Sequence, residues 1–499
     1  MQPDWQDFPH TEPTTPARGR RVWMGCVSLL LIAALLLSSA SGAVWLLRQW
    51  RARAAAPQPT RQPAEIAAAP STPPAAEREP EAASTAVSPT ASLTRTLTVN
   101  RIAYIDRDGQ VATTAPDGSG SRQLTDTDLR FQFPAWSPDG ERLAAIGSSR
   151  GGAGIYLLRD EAATAEPEPR YFSRTENPFY LYWSPDRSQI GFLANDAENG
   201  IALRLTSADG ETESRVLATG SPLYWHWTAD GAQILAHSGA AGTDGQIMLL
   251  DAAGDGAPEA IAQPGLFQAP AISADGRFFA YATDHADGVS WLTLQGVDGQ
   301  AVFSEPHPGS TAFAWHPARN LLAVINGRPE STLFYGPLRL LDADSGELRL
   351  LSAETVVGFF WSPDGRYLAY LSTPALRDDV QASAAPWRAP AAAPRAGLAR
   401  LRPQPAAQPS TPELVLRLVD VTSGEDRLLT RFQPSFIFLS QFLPFFDQYA
   451  HSHSLWAPDS TALVLPMREA GSNYVVVVPV SGEPPERLLR GDMPFWSRQ

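Results

Sequence analysis

The sequence predicts an all-β fold, a closed ring of eight four-stranded blades. Three observations predict it: a turn motif recurring at a near-constant period, short alternating apolar runs between its copies, and half a copy stranded at the C terminus. The turn is Ser-Pro-Asp-Gly behind a tryptophan, at Trp136 to Gly140 and at Trp361 to Gly365. Looser copies begin at Trp183, Trp227, Ile272, Trp315 and Trp456, and Pro494-Phe495-Trp496-Ser497 is the half copy. Successive copies lie about 43 to 47 residues apart, except for one gap of 95. A period of that length marks the blades of a β-propeller.

Each element of a blade follows from local chemistry. Ser, Pro and Gly at the first, second and fourth positions suit a type I turn, with proline presetting φ. An alternating run follows, such as Arg142 to Ile146, Gln233 to Ala236 or Tyr367 to Leu371, and period-2 alternation of this length reads as a strand. A further apolar run (Gly154 to Leu158, Leu338 to Leu341), a polar turn (Asp342 to Glu347) and a last strand (Leu348 to Leu351) complete four antiparallel strands, one blade. The repeated Trp and Asp are read as scaffold: Trp packing between blades, Asp bonding its own turn.

The order W-S-P-D-G, then an I-A-[FY] strand, then an R-x-L-T strand resembles the TolB-like propeller family over about residues 97–499. Arg101 to Ile105 and Ser121 to Thr125 fit that pattern but lack a leading tryptophan strand. The half copy at Trp496 supplies it, so the C-terminal strand is expected to close the ring and remove two sheet edges. This gives eight blades, with seven as the alternative if the Ile272 repeat is mispaired. The resemblance implies a bacterial envelope protein that binds partners across a propeller face.

The remaining fifth of the 499-residue chain is of another kind. After a short tail (1–21), residues 22–47 carry no charge, enough for one membrane-spanning helix, with Trp23 and Trp45 near its ends. Small residues at 39–43 leave a cleaved signal peptide as the alternative. Residues 48–96 form a Pro/Ala-rich linker that cannot build a core and is expected to be a disordered stalk. Arginines flank the span on both sides, so orientation rests on the stalk and the resemblance, which put the propeller outside the cytoplasm. Cys26, the single cysteine, lies in the anchor, so no disulfide within the chain supports the ring.

Chemistry is sparse. Net charge is −14, and the nine arginines and seven acidic residues up to Arg95 leave −16 for the rest, a poor match for nucleic acid. Gly147 to Gly151 matches G-x-S-x-G, but the motif needs a strand, a strained turn and a helix, and here it falls between two strands. The eight histidines do not assemble a metal set. No phosphate loop or dinucleotide fingerprint appears, and no helical pattern that would carry one. No catalytic residue, cofactor or metal is assigned.

The 95-residue gap holds two insertions. Residues 373–411 are Pro, Ala and Arg rich, with Arg377, Arg388, Arg395, Arg400 and Arg402 against Asp378 and Asp379. Residues 432–455 hold seven aromatics and one charge, Asp447. Connections after the second and fourth strands of a blade emerge on one face, which the two insertions therefore share. Long loops and apolar patches point to recognition. The candidate interaction residues are Phe436, Phe438, Phe442, Phe445, Phe446, Tyr449, His451 and His453; a plug over the channel is the alternative use of the same segment. The expected function is a non-enzymatic, single-pass membrane protein that binds an envelope protein or other ligand. The alternatives are a hydrolase or lyase with a site in the channel, and a sensor or accessory subunit of an envelope complex.

Overall fold

The computed structural model of the chain describes residues 100–498 apart from 162–166, 211–212, 241–244, 267, 285–288, 308, 328–335 and 374–411. The tail, the 22–47 span, the 48–96 linker and nearly all of the 373–411 insertion lie outside the described residues. Among the described residues no helix is long and apolar enough to cross a membrane.

The described residues form an all-β, propeller-like array of small antiparallel sheets. Five sheets have four strands each. A seven-stranded sheet joins two repeats through one 14-residue strand, Leu348–Trp361. The last sheet has three strands, extended inward by a bridge between Trp456 and Leu463. Within a sheet neighbouring strands are consecutive and antiparallel, with two departures: the C-terminal strand Asp492–Trp496 joins the first sheet, and residues 373–413 separate the paired strands Tyr367–Ser372 and Leu414–Asp420.

The turn motif does what its residues dictate. Ser137 donates to the Asp139 carboxylate (2.5 Å), which also accepts from the Glu141 amide (3.2 Å), so the aspartate serves its own turn. The same arrangement holds at Ser184 and Asp186, Ser273 and Asp275, and Ser362 and Asp364. The fourth position takes a left-handed backbone: Gly140 has φ of 71° and Gly365 the same. Where the glycine is lost, Arg187 (68°) and Ser460 (62°) still hold that conformation, at roughly 1 kcal/mol each.

Four of the tryptophans connect neighbouring repeats. Trp183 donates its indole N–H to the carbonyl of Ala135, Trp361 to Ala314, Trp456 to Phe360 and Trp136 to Phe495, at 3.0–3.2 Å. Each acceptor is the residue just before the neighbouring repeat's own tryptophan, Trp496 at the seam; the indoles of Trp227 and Trp315 make no such bond among the described residues. The C-terminal strand Asp492–Trp496 pairs antiparallel with Ile102–Ile105. Ser497 donates to the Arg101 carbonyl (2.8 Å) and Trp496 to Asn100 Oδ1 (2.6 Å), fastening the two ends of the array. The G-x-S-x-G match is the hairpin between Arg142–Ser149 and Gly152–Arg159, where no helix follows.

One expectation is corrected. The sequence shows no amphipathic helical segment, yet residues 438–452 are helical: a π turn over Phe438–Phe442, a 3₁₀ turn over Leu443–Phe445 and an α-helix over Phe446–Ser452. Pro444 falls in the 3₁₀ turn, where a missing N–H disrupts no α-helical hydrogen bond. Phe438, Phe442, Phe446, Tyr449 and His453 recur at helical spacing and bury one stripe.

Candidate functional site

The segment leaves the strand Asp426–Phe432 and turns inward at Ser435, whose hydroxyl donates to the Asp492 carboxylate (2.6 Å). It then meets the innermost strands of sheet after sheet. Phe442 lies against Phe360 and Phe495, Phe446 against Phe359, and Tyr449 against Phe133 and Tyr180, with ring centroids 4.9–6.0 Å apart. The segment therefore fills the axis of the array as a plug.

Its polar groups are spent on the same strands. Gln448 accepts from the Trp225 amide (3.0 Å) and donates to the Trp225 carbonyl (2.9 Å), pairing with the free inner edge of the strand Leu223–Trp227 as a neighbouring peptide would. Gln448 also donates to the Tyr180 hydroxyl (3.0 Å). That hydroxyl donates toward Ser452 (2.9 Å), Ser452 lies 2.6 Å from His453 Nδ1, and His453 Nε2 lies 3.3 Å from the Phe133 carbonyl. A single direction of donation satisfies the whole chain when His453 is neutral with its proton on Nε2. Burial holds His453 down to about 3. The fully buried Asp447 accepts from the Ala269 and Gln448 amides (3.0 Å each), and burial pushes it up to about 6.

At the far end of the helix His451 stacks on His226, centroids 4.0 Å apart. His226 Nδ1 accepts from the Ile272 amide (2.9 Å), and burial lowers it to about 4. Burial and the neighbouring His226 lower His451 well below the ordinary histidine range. Arg498 donates to the His451 carbonyl. Among the described residues no group of three or more His, Cys, Asp or Glu side chains could hold a metal ion.

The eight candidate residues thus divide. Phe438, Phe442, Phe446, Tyr449 and His453 are buried in the plug, and His451 is enclosed by its stack. Phe436 (66% exposed) and Phe445 (43%) face outward. Beside Phe445 opens a cavity of about 610 Å³. Its walls include Phe179, Leu193, Ile201, Pro222 and Leu223; the plug contributes Gln441, Phe445, Gln448 and Tyr449, and Tyr180, Tyr224, Ser221 and Gln132 complete it. No Asp, Glu, Arg or His lines it. Burial raises the Tyr180, Tyr224 and Tyr449 phenols, so all three are neutral donors at ordinary pH. Tyr180, Tyr224 and Gln448 escape sequence reading, because nothing local marks a strand residue as facing the axis.

Fold and site together define a propeller-like protein with a plugged axis and an apolar cavity beside the plug. No protein-family model and no curated protein sequence matches the chain. Solved structures similar to it include an Agrobacterium tumefaciens protein assigned to TolB (19% identity over 51% of this chain and 89% of that one, TM-score 0.33). TolB from Acinetobacter baumannii is 16% identical over 66% of this chain and 62% of that one, TM-score 0.35. An oligogalacturonate lyase from Vibrio parahaemolyticus is 15% identical over 78% and 85%, TM-score 0.39. Likenesses this distant say nothing about activity.

Proposed function

We propose that this chain is a non-enzymatic, membrane-anchored, TolB-like propeller of eight blades that binds a protein or other ligand of the cell envelope on the face carrying its two insertions. The observation that carries the reading is the cavity of about 610 Å³ flanked by the exposed Phe445, free of charged side chains, next to an axis already filled by the chain itself, with Phe436 exposed on the same segment. The lining holds no carboxylate, imidazole or guanidinium, and the histidines of the plug are buried away from it, which favours recognition over acid–base chemistry there. Exposed aromatics around a concave site favour recognition.

Five four-stranded sheets, two repeats in the seven-stranded sheet, and the last sheet with its bridging inner residue support a count of eight. The anchor and stalk belong to this reading through the composition of residues 22–96, and the family through the repeat pattern.

The test is proximity labelling in the native membrane with wild type and with Phe436→Ser/Phe445→Ser. A recurrent partner that disappears from the double variant is the expected result. Labelling indifferent to the swap puts recognition elsewhere.

A further inference from the structure

The cavity has features that restrict its ligand more tightly than the binding reading requires. Its volume, about 610 Å³, lies within the range of sites for small organic molecules, roughly 300–1,000 Å³. In a chain of net charge −14 its lining is free of formal charge, so it offers neither an ion partner for an anion nor a carboxylate for a cation. Taking an ion out of water into such a site is costly without one.

The second observation is a polar group without a partner. Gln448 and Tyr180 are fully engaged with the Trp225 backbone, with each other and with Ser452. Tyr449 is different. Its side chain is more than nine-tenths buried and lines the cavity, and its hydroxyl makes no hydrogen bond among the described residues. The hydroxyl opens onto the cavity rather than into closed packing, so it presents a free donor to whatever fills that space. Gln132 and Gln441, at the rim, likewise have side-chain amides unengaged by described residues. Phe179 and Phe445, both partly exposed, flank the opening and can cover a guest with aromatic surface.

We propose that this cavity binds an uncharged, mainly apolar small molecule carrying a hydrogen-bond acceptor such as a carbonyl, which takes the Tyr449 hydroxyl while aromatic and aliphatic groups fill the space between Phe179, Leu193, Ile201 and Phe445. The inference rests on the proposed binding role of this face and specifies its ligand class. A partner's side chain inserted in the same place is the competing occupant, and the experiment separates the two.

The probe is benzophenone, a neutral apolar ketone, used as a photoaffinity label on the purified full-length chain in lipid nanodiscs. Covalent capture reports position, so partitioning into the lipid does not obscure the result. Saturable adducts are expected on the peptides holding Leu193, Ile201 and Leu223. The anionic 4-benzoylbenzoate should label them about tenfold less. Ile201→Trp, which fills the opening, should reduce capture about tenfold with thermal stability retained. Tyr449→Phe keeps the ring and removes the hydroxyl, and should raise the half-saturating concentration about five-fold, the value of one neutral hydrogen bond. Labelling that does not saturate, that is equal for the charged probe, or that ignores both substitutions overturns the proposal. Loss of saturable capture together with a partner still dependent on Phe436 and Phe445 would remove this inference alone and leave the binding role standing.

Discussion

Two regions of this chain are rich in aromatic residues and use them in opposite directions. In the repeats a tryptophan reaches sideways: Trp183 crosses to the Ala135 carbonyl and Trp456 to that of Phe360, each tying one sheet to its neighbour. In residues 432–455 the rings reach along the axis, and Phe442, Phe446 and Tyr449 touch strands from several sheets at once. A repeated contact stabilises each junction locally; a unique segment at the axis couples many junctions together. Repetition therefore marks scaffold, and the interruption marks both the cap of the axis and the wall of the cavity.

The largest effect is expected from acid. His226, His451 and His453 belong to the plug and its contacts, and burial keeps all three below their unfolded value near 6.5, His226 at about 4 and His453 at about 3. The unfolded chain then binds more protons, so the stability they contribute is complete above pH 6.5 and is lost as pH falls toward 4. Arg498 lies beside them and adds to the penalty for protonation. Asp447, raised to about 6, works the other way: its burial costs stability above that pH and the cost vanishes as pH falls toward 3.8. Burial also lowers His237, His307 and His316 elsewhere in the array and raises Asp492 beside the plug, so with six imidazoles against two carboxylates denaturant midpoints should fall between pH 6.5 and 4. Unchanged midpoints over that range would break the account of the plug.

Truncation comes next. Phe446→Ala should cost about 3–5 kcal/mol, as for a phenylalanine removed from a packed core, measured by urea unfolding. A surface loop would lose under about 0.5 kcal/mol. Gln448→Ala should cost on the order of 2–3 kcal/mol, since it leaves the Trp225 N–H and C=O unpaired in the interior. The smallest expected effect is that of Phe436→Ser/Phe445→Ser, within about 0.5 kcal/mol for each exposed ring. That near-neutrality makes the double variant a clean probe of recognition.

The sheets were readable because their signals are local and repeated. The serine, aspartate and glycine of each turn interact within five residues of one another, so the sequence carries the whole interaction. The Trp496 half copy was readable because a missing piece of a repeat has one place to go. The helix at 446–452 was missed although Phe438, Phe442, Phe446, Tyr449 and His453 recur at helical spacing. Aromatics on every side, with Pro444 among them, blur the polar face that distinguishes an amphipathic helix. The cavity was out of reach for a different reason: Tyr180, Tyr224 and Gln448 are brought together from three separate segments, and their meeting depends on the closure of the ring.

The claim that recognition sits where the repeat fails is tested most directly by site-specific photo-crosslinking in the cell. A benzoyl-phenylalanine at Phe445 is compared with one at Val297, which is 63% exposed in the turn between Ser290–Gly296 and Ala301–His307, on the side of the Ser-Pro-Asp-Gly turns. A discrete adduct from position 445 and none from 297 is the expected result. Equal adducts from both, or one from 297 alone, would contradict the account.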